Sequence, residues 1–244
     1  MGPPDTWDRL AAWLRSIEAS LPEPPRALLV ISAHWEEPEL ALVAKDRPGL
    51  LYDYYGFPKH TYELTWPAPG APELAVRARG LLGQAGFSAR LDTSRDWDHG
   101  VFVPLKVAFP EARIPTLQLS LKAGLDPSEH LAMGRALAPL RDEGVLVVGS
   151  GLSYHDLRSF GSARASADSA AFDAWLGDVT TQAATVRDPA LSGWAKAPRA
   201  RQAHPREEHL LPLLVAAGAA GADRGHVVFR DRVMNATISA IRFG

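Results

Sequence analysis

The sequence has no cysteine among its 244 residues. That excludes thiolate zinc sites, iron–sulfur clusters, cysteine nucleophiles and disulfide scaffolds. Net charge is also scarce: 26 Lys and Arg against 28 Asp and Glu leave −2. A near-neutral chain offers no electrostatic case for nucleic acid or for an anionic membrane surface. No apolar run reaches the ~18 residues needed to cross a bilayer. Residues 1–20 are amphipathic and carry acids, unlike the basic start and apolar core of a signal peptide. A cytoplasmic protein is expected. Phosphate and dinucleotide signatures are missing as well, with no G-x-x-x-x-G-K-[ST] and no G-x-G-x-x-G.

What is present suits a globular enzyme. Hydrophobic residues make up 46% of the chain, enough for a core without staples. No linker interrupts it, so one domain over 1–244 is expected. Trp7, Leu10, Leu14, Ile17 and Leu21 recur at helical spacing, with Asp5 or Thr6 as N-cap. The run 27–33 is continuously apolar and bounded by prolines, which suits a buried parallel strand with His34 and Trp35 at its end. Residues 40–44 form a second short strand. Residues 45–71 read as an ordered loop over a pocket, because they combine turn residues with many aromatics.

Helices are expected over 72–84, 101–109, 127–141, 166–186 and 205–219. Strands are expected over 87–91, 114–121, 145–149, 226–230 and 236–243. Residues 187–204 read as a surface loop or flap. The alternation gives an α/β fold, a mixed or parallel central sheet with helices on both faces. Ligands in such folds bind beyond the C-terminal ends of the strands, where His34 and His155 fall.

Eight histidines carry most of the chemical interest. Histidine is the commonest metal ligand and the usual base near neutral pH, but strand ends and turns also use it structurally. For His34 and His155 the two readings are evenly matched on position. His99 follows Asp98, whose capping role explains the acid and not the histidine. His209 lies one turn into the expected 205–219 helix and is able to point inward. His130 is expected in solvent, His226 in a structural strand, and His60 as a lesser substrate contact. Arg158, Arg201 and Arg206 are read as solvated surface charges, although each could meet a substrate carboxylate. His204 and His209 are five apart, about 140° around a helix, so they cannot chelate one ion from one helical face. Gly149-Ser150-Gly151 is not a nucleophile elbow, since Val148 and Leu152 stand where glycines are needed. Histidines and carboxylates at strand ends suit a first-row metal with open positions. They do not name a reaction.

The ordered motifs do more. Ile31-Ser-Ala-His34-Trp35-Glu36, Tyr55-Gly56-Phe57-Pro58, Trp66-Pro67-Ala68-Pro69-Gly70, Asp98-His99-Gly100, Gln118-Leu119-Ser120, Gly149-Ser-Gly-Leu-Ser-Tyr-His155 and Glu208-His209-Leu-Leu-Pro212-Leu follow one another along the chain. This set resembles the class III extradiol ring-cleavage dioxygenases, in their 4,5-DOPA dioxygenase-like branch. The resemblance implies a non-haem enzyme that uses Fe(II), with Zn(II) as the alternative, to open the ring of a catechol with O2. It implies His34 and His209 (or its neighbour Glu208) as metal ligands. It implies His155 as the acid/base histidine, also counted with the metal, and His99 as a second catalytic histidine near the substrate. Catechol and O2 are the partners, and a homo-oligomer is left open.

The family pattern also carries a ligand histidine in a His-Gly motif on a strand before the opening helix. This sequence starts at Met1-Gly2-Pro3-Pro4-Asp5, past that motif. Weaker metal binding and reduced activity are therefore expected. Two other readings stay open: a metal-poor relative without catalysis, and a zinc-dependent hydrolase acting through metal-bound water.

Overall fold

The computed structural model describes Pro3 and residues 5–244. Helix α1 (Asp8–Ser20) opens the chain. Neither Asp5 nor Thr6 caps it; the N-cap residue is Trp7, whose side chain does not do the capping. Backbone turns satisfy this start instead, with Thr6 donating to the Pro3 carbonyl and Asp8 to that of Asp5.

Strand β1 (Ala27–Glu37) runs four residues past the expected end, through His34 and Trp35. β2 (Leu40–Val43) follows, then the loop with one 3-10 turn at Lys59–Tyr62. α2 (Pro72–Gln84) matches its sequence pattern, with Pro72 in the first turn. β3 (Ala89–Asp92) comes next, and α3 (His99–Ala108) starts two residues earlier than expected because Asp98 caps it. β4 (Thr116–Lys122), α4 (Pro127–Leu137), α5 (Pro139–Asp142) and β5 (Val145–Ser150) complete the central unit.

The five strands form one sheet in the order β3-β2-β4-β1-β5. β1 pairs parallel with β4 and β5, β2 parallel with β3, and β2 meets β4 antiparallel. Side chains of β1 alternate between two cores, as a pleated strand requires. Leu29 and Ile31 pack with α2, α4 and the late helices, whereas Leu28 and Val30 pack with α3 and the flank of α1. The chain is thus a single α/β domain with helices on both faces. No helix among the described residues is long and apolar enough to cross a membrane.

The second half departs from expectation in three places. The helix expected over 166–186 is two helices, α6 (Ala163–Thr180) and α7 (Ala184–Ser192). The Thr180 and Thr181 hydroxyls bond back to the Leu176 and Asp178 carbonyls, which ends the first helix. The stretch 187–204 is not a surface flap. It holds the latter part of α7, a 3-10 turn at Trp194–Lys196 and α8 (Ala200–Ala203), and it buries Arg187, Trp194 and His204. Arg187 donates to the carbonyls of Ala217, Gly221 and Asp223, closing the end of the next helix.

That helix, α9 (Leu211–Ala219), starts six residues later than expected. Pro212 has no N–H to return to the Glu208 carbonyl, so the helical ladder cannot extend back across it. The chain ends in a separate antiparallel hairpin, β6 (Gly225–Val233) and β7 (Ala236–Phe243). Phe229 of the hairpin stacks on Trp13 of α1 at 5.3 Å.

Candidate metal centre and its histidine cluster

Four histidines converge at the ends of β1 and β5. The rings of His34 and His99 lie 3.8 Å apart between centroids, those of His34 and His209 4.9 Å, and those of His155 and His209 3.3 Å. Each arrives on a different segment. His34 sits near the end of β1, where the register against β4 slips between Ile31 and Glu36, and its N–H bonds to the Ser32 hydroxyl at 3.2 Å. A register slip of this kind re-aims side chains. His99 is the first residue of α3. His155 follows β5 and is held by its backbone N–H on the Ala203 carbonyl at 2.8 Å. His209 lies in the turn before α9, not one turn into a helix, because of the Pro212 stop.

Two glycines make this convergence sterically available. A Cβ on Gly151 would lie 2.3 Å from the His209 carbonyl oxygen, and one on Gly100 would lie 2.4 Å from the Ser32 Oγ. The Gly149-Ser150-Gly151 turn thus lets the His209 segment lie against the end of β5.

Carboxylates support the rings. Asp98, fully buried beneath the cluster, accepts from Ser32 Oγ at 2.7 Å, Gln118 Nε2 at 2.5 Å, Arg95 at 3.2 Å and the Val101 N–H at 3.3 Å. Asp53 Oδ1 faces His99 Nδ1 at 2.7 Å and accepts the His99 backbone N–H at 3.0 Å. Glu208 Oε1 lies 3.4 Å from His155 Nδ1. Arg206 bridges Glu208 and Glu36 at the rim.

The electrostatics favour neutral imidazoles. Burial, then the neighbouring His99, lowers His34 to about 4. Burial and the adjacent His155 and His34 push His209 far below its ordinary value. Burial opposes ionisation of Asp53 and Glu208, but their bonds from His99 and His155 outweigh it and hold both carboxyls below the usual range. The His34 and His209 rings therefore stay neutral, each keeping one nitrogen lone pair. Two sets, His34–Asp53–His99 and His155–Glu208–His209, each have donor atoms within 4.8 Å of one another. A nitrogen-rich set with carboxylates alongside fits a divalent first-row metal ion.

The loop 45–71 is ordered by its own aromatics. Tyr52 and Tyr54 donate to the Leu64 and Thr61 carbonyls, and the Tyr54 ring meets His99 edge-on at 5.6 Å. Sequence reasoning brought His34, His99, His155 and His209 together and missed Asp53. The one signal was an acid embedded in the aromatic run Leu51-Tyr-Asp-Tyr-Tyr55. His60 and His226 are exposed and belong to neither donor set, and Arg158 is exposed too. His130 is buried, contrary to expectation. Its Nδ1 meets the Asp126 carbonyl at 2.7 Å, and its Nε2 accepts the Lys122 N–H at 3.2 Å.

Residues 4–244 match the family described as the catalytic LigB subunit of aromatic ring-opening dioxygenase. The chain belongs to this family, which makes it an extradiol ring-cleavage dioxygenase of a metal-dependent class. Among individual proteins, it is 45% identical over 202 residues to a 4,5-DOPA dioxygenase extradiol of Beta vulgaris, covering 81% of this chain and 74% of that one. It is 39% identical over 233 residues to a dioxygenase of Hapsidospora irregularis, covering 90% and 72%. The crystal structure of an uncharacterized protein from Escherichia coli K12 superposes with a TM-score of 0.77 at 29% identity, covering 96% of this chain and 92% of that one.

Proposed function

We propose that this chain cleaves the ring of a DOPA-like catechol with O2, and that residues 1–244 form one catalytic domain acting in the cytoplasm. The observation that carries the reading is the convergence of four imidazoles, two of them paired to carboxylates, in a member of a ring-opening family. His34 and His209 are the proposed metal ligands, with His155 beside them as the acid/base histidine and Fe(II) preferred over Zn(II). When bound, such an ion supplies Lewis acidity for the two catechol oxygens.

The remaining work falls to side chains. A catechol must shed protons to chelate, and His155, backed by the Glu208 carboxylate, is placed to take one and later return it. His99 on the opposite flank, backed by Asp53, is placed to meet the second hydroxyl. The aromatic loop over His99 shields the ring from water.

The test is oxygen uptake after anaerobic Fe(II) loading, with L-DOPA and simple catechols, alongside metal analysis. Stoichiometric O2 consumption with a semialdehyde absorbance is expected. Fully Fe(II)-loaded protein that consumes no O2 with any catechol would overturn the proposal.

A further inference from the structure

We propose that Asp53 is a positioning residue for His99, fixing the ring as its Nδ1–H tautomer so that Nε2 is left bare toward the substrate. The proposal rests on His99 acting in the reaction proposed above. One carboxylate oxygen makes both contacts: Oδ1 lies 2.7 Å from Nδ1 and 3.0 Å from the His99 backbone nitrogen. An unprotonated Nδ1 would set a lone pair against an anionic oxygen at that distance. The geometry therefore places a proton on Nδ1, and in a neutral imidazole Nε2 is then the basic atom.

The contact is not needed to build the fold. Helix α3 already has its N-cap in Asp98, whose side chain accepts from Val101. The loop that carries Asp53 is already tied to this segment, since Leu51 donates to the Trp97 carbonyl at 2.7 Å and Trp97 to that of Gly49 at 3.1 Å. With two backbone tethers in place, a carboxylate aimed at the ring nitrogen adds an orientation and not an anchor. The ring is also packed by His34 at 3.8 Å and, edge-on, by Tyr54 at 5.6 Å. This is the arrangement by which an outer carboxylate fixes the tautomer of a working histidine.

The experiment compares wild type, Asp53→Ala and Asp53→Asn in the full chain. Nitrogen-15 NMR of histidine in the Zn(II)-loaded proteins reads the His99 tautomer. Steady-state kinetics of the Fe(II)-loaded proteins read kcat and KM. In D53A we expect a mixed His99 tautomer, kcat lowered by about 10- to 100-fold, KM changed by less than about threefold, and full metal content. In D53N the amide oxygen still accepts from Nδ1–H, so the tautomer should hold and kcat should recover most of the loss. A D53A protein with the wild-type tautomer or wild-type kcat overturns the proposal. Loss of metal in proportion to activity does so as well, because it would make Asp53 a ligand. Should D53A fail to fold, an inactive D53N with an unchanged tautomer would refute positioning. If wild type consumes no O2, the dioxygenase reading falls on that result alone, while NMR still decides what Asp53 does to His99.

Discussion

Gly100→Ala sets two effects of opposite sign against each other. Alanine in a helix is favoured over glycine by ~0.5–1 kcal/mol. At this position, however, the new methyl would sit 2.4 Å from Ser32 Oγ, 2.8 Å from His34 Cδ2 and 3.2 Å from Asp98 Oδ1. Ordinary contact requires the Ser32 hydroxyl to retreat by about 1 Å. That hydroxyl donates to Asp98 at 2.7 Å and accepts from the His34 N–H at 3.2 Å. Overpacking costs ~1–3 kcal/mol, and a strained bond to a buried carboxylate adds ~1 kcal/mol or more. Clash therefore exceeds propensity, and a net loss of about 2 kcal/mol is expected, or ~4–8 °C in Tm for a chain of this size. Because His34 must move with Ser32, Zn(II) affinity should fall by ~10-fold or more. Thermal melting and isothermal titration read both quantities. The double variant S32A/G100A removes the nearest obstacle and should recover part of the stability. A G100A protein that melts at or above wild type, as helix propensity alone dictates, would refute the reasoning.

Other outcomes follow from the same geometry. His34→Ala should abolish metal retention, whereas His155→Ala should abolish turnover and keep most of the metal; elemental analysis with oxygen uptake separates the two. His204 is fully buried, and burial lowers it to about 4. The unfolded chain takes that proton near pH 6.5 and the folded one does not, so stability is flat above about 6.5 and falls on acidification, by about 3 kcal/mol at pH 4 from this residue. Urea unfolding at pH 7.5 and 4.5 measures the slope, and a His204 NMR resonance titrating near 6.5 in the folded state would contradict it. Arg187→Ala should cost ~3–5 kcal/mol, because it strands three carbonyls at the end of α9 and leaves a void under Phe243. Denaturant melts with unchanged fold check this, and a loss under 1 kcal/mol would show the carbonyls hydrated instead.

The central sheet was legible because β1, β2 and β5 begin as continuous apolar runs and the helices carry clear stops. Gly86 and Gly144, both at positive φ, end their helices where the pattern broke. The late region was not legible. Pro205 and Pro212 are each able to open a helix by local rules; the break that Pro212 puts in the helical ladder, together with the packing of the His209 turn against Gly151, selects the second. The burial of Arg187 was hidden for a similar reason, since its partners are backbone carbonyls about 30 residues away that no side-chain pattern marks. At the site, the four histidines stood out by residue type. Their pairing with Asp53 and Glu208 depends on loop paths across the sheet end, and a lone acid among tyrosines reads locally as a turn residue. His130 was misplaced because its helix start is polar in sequence, while the ring turns inward to bond Lys122 and Asp126.

The four imidazoles come from four segments spread from β1 to the turn before α9, and no two adjacent along the chain share an element. This has a kinetic consequence. Each ring reaches its neighbours only after long loops have closed, so the cluster assembles with the last non-local contacts and not with the first. An ion offered during refolding would meet separate histidines early and the complete set only at the end. Slow metal uptake that tracks the final folding phase would report closure of the whole sheet–helix–turn circuit, making the centre a clock for the finished molecule.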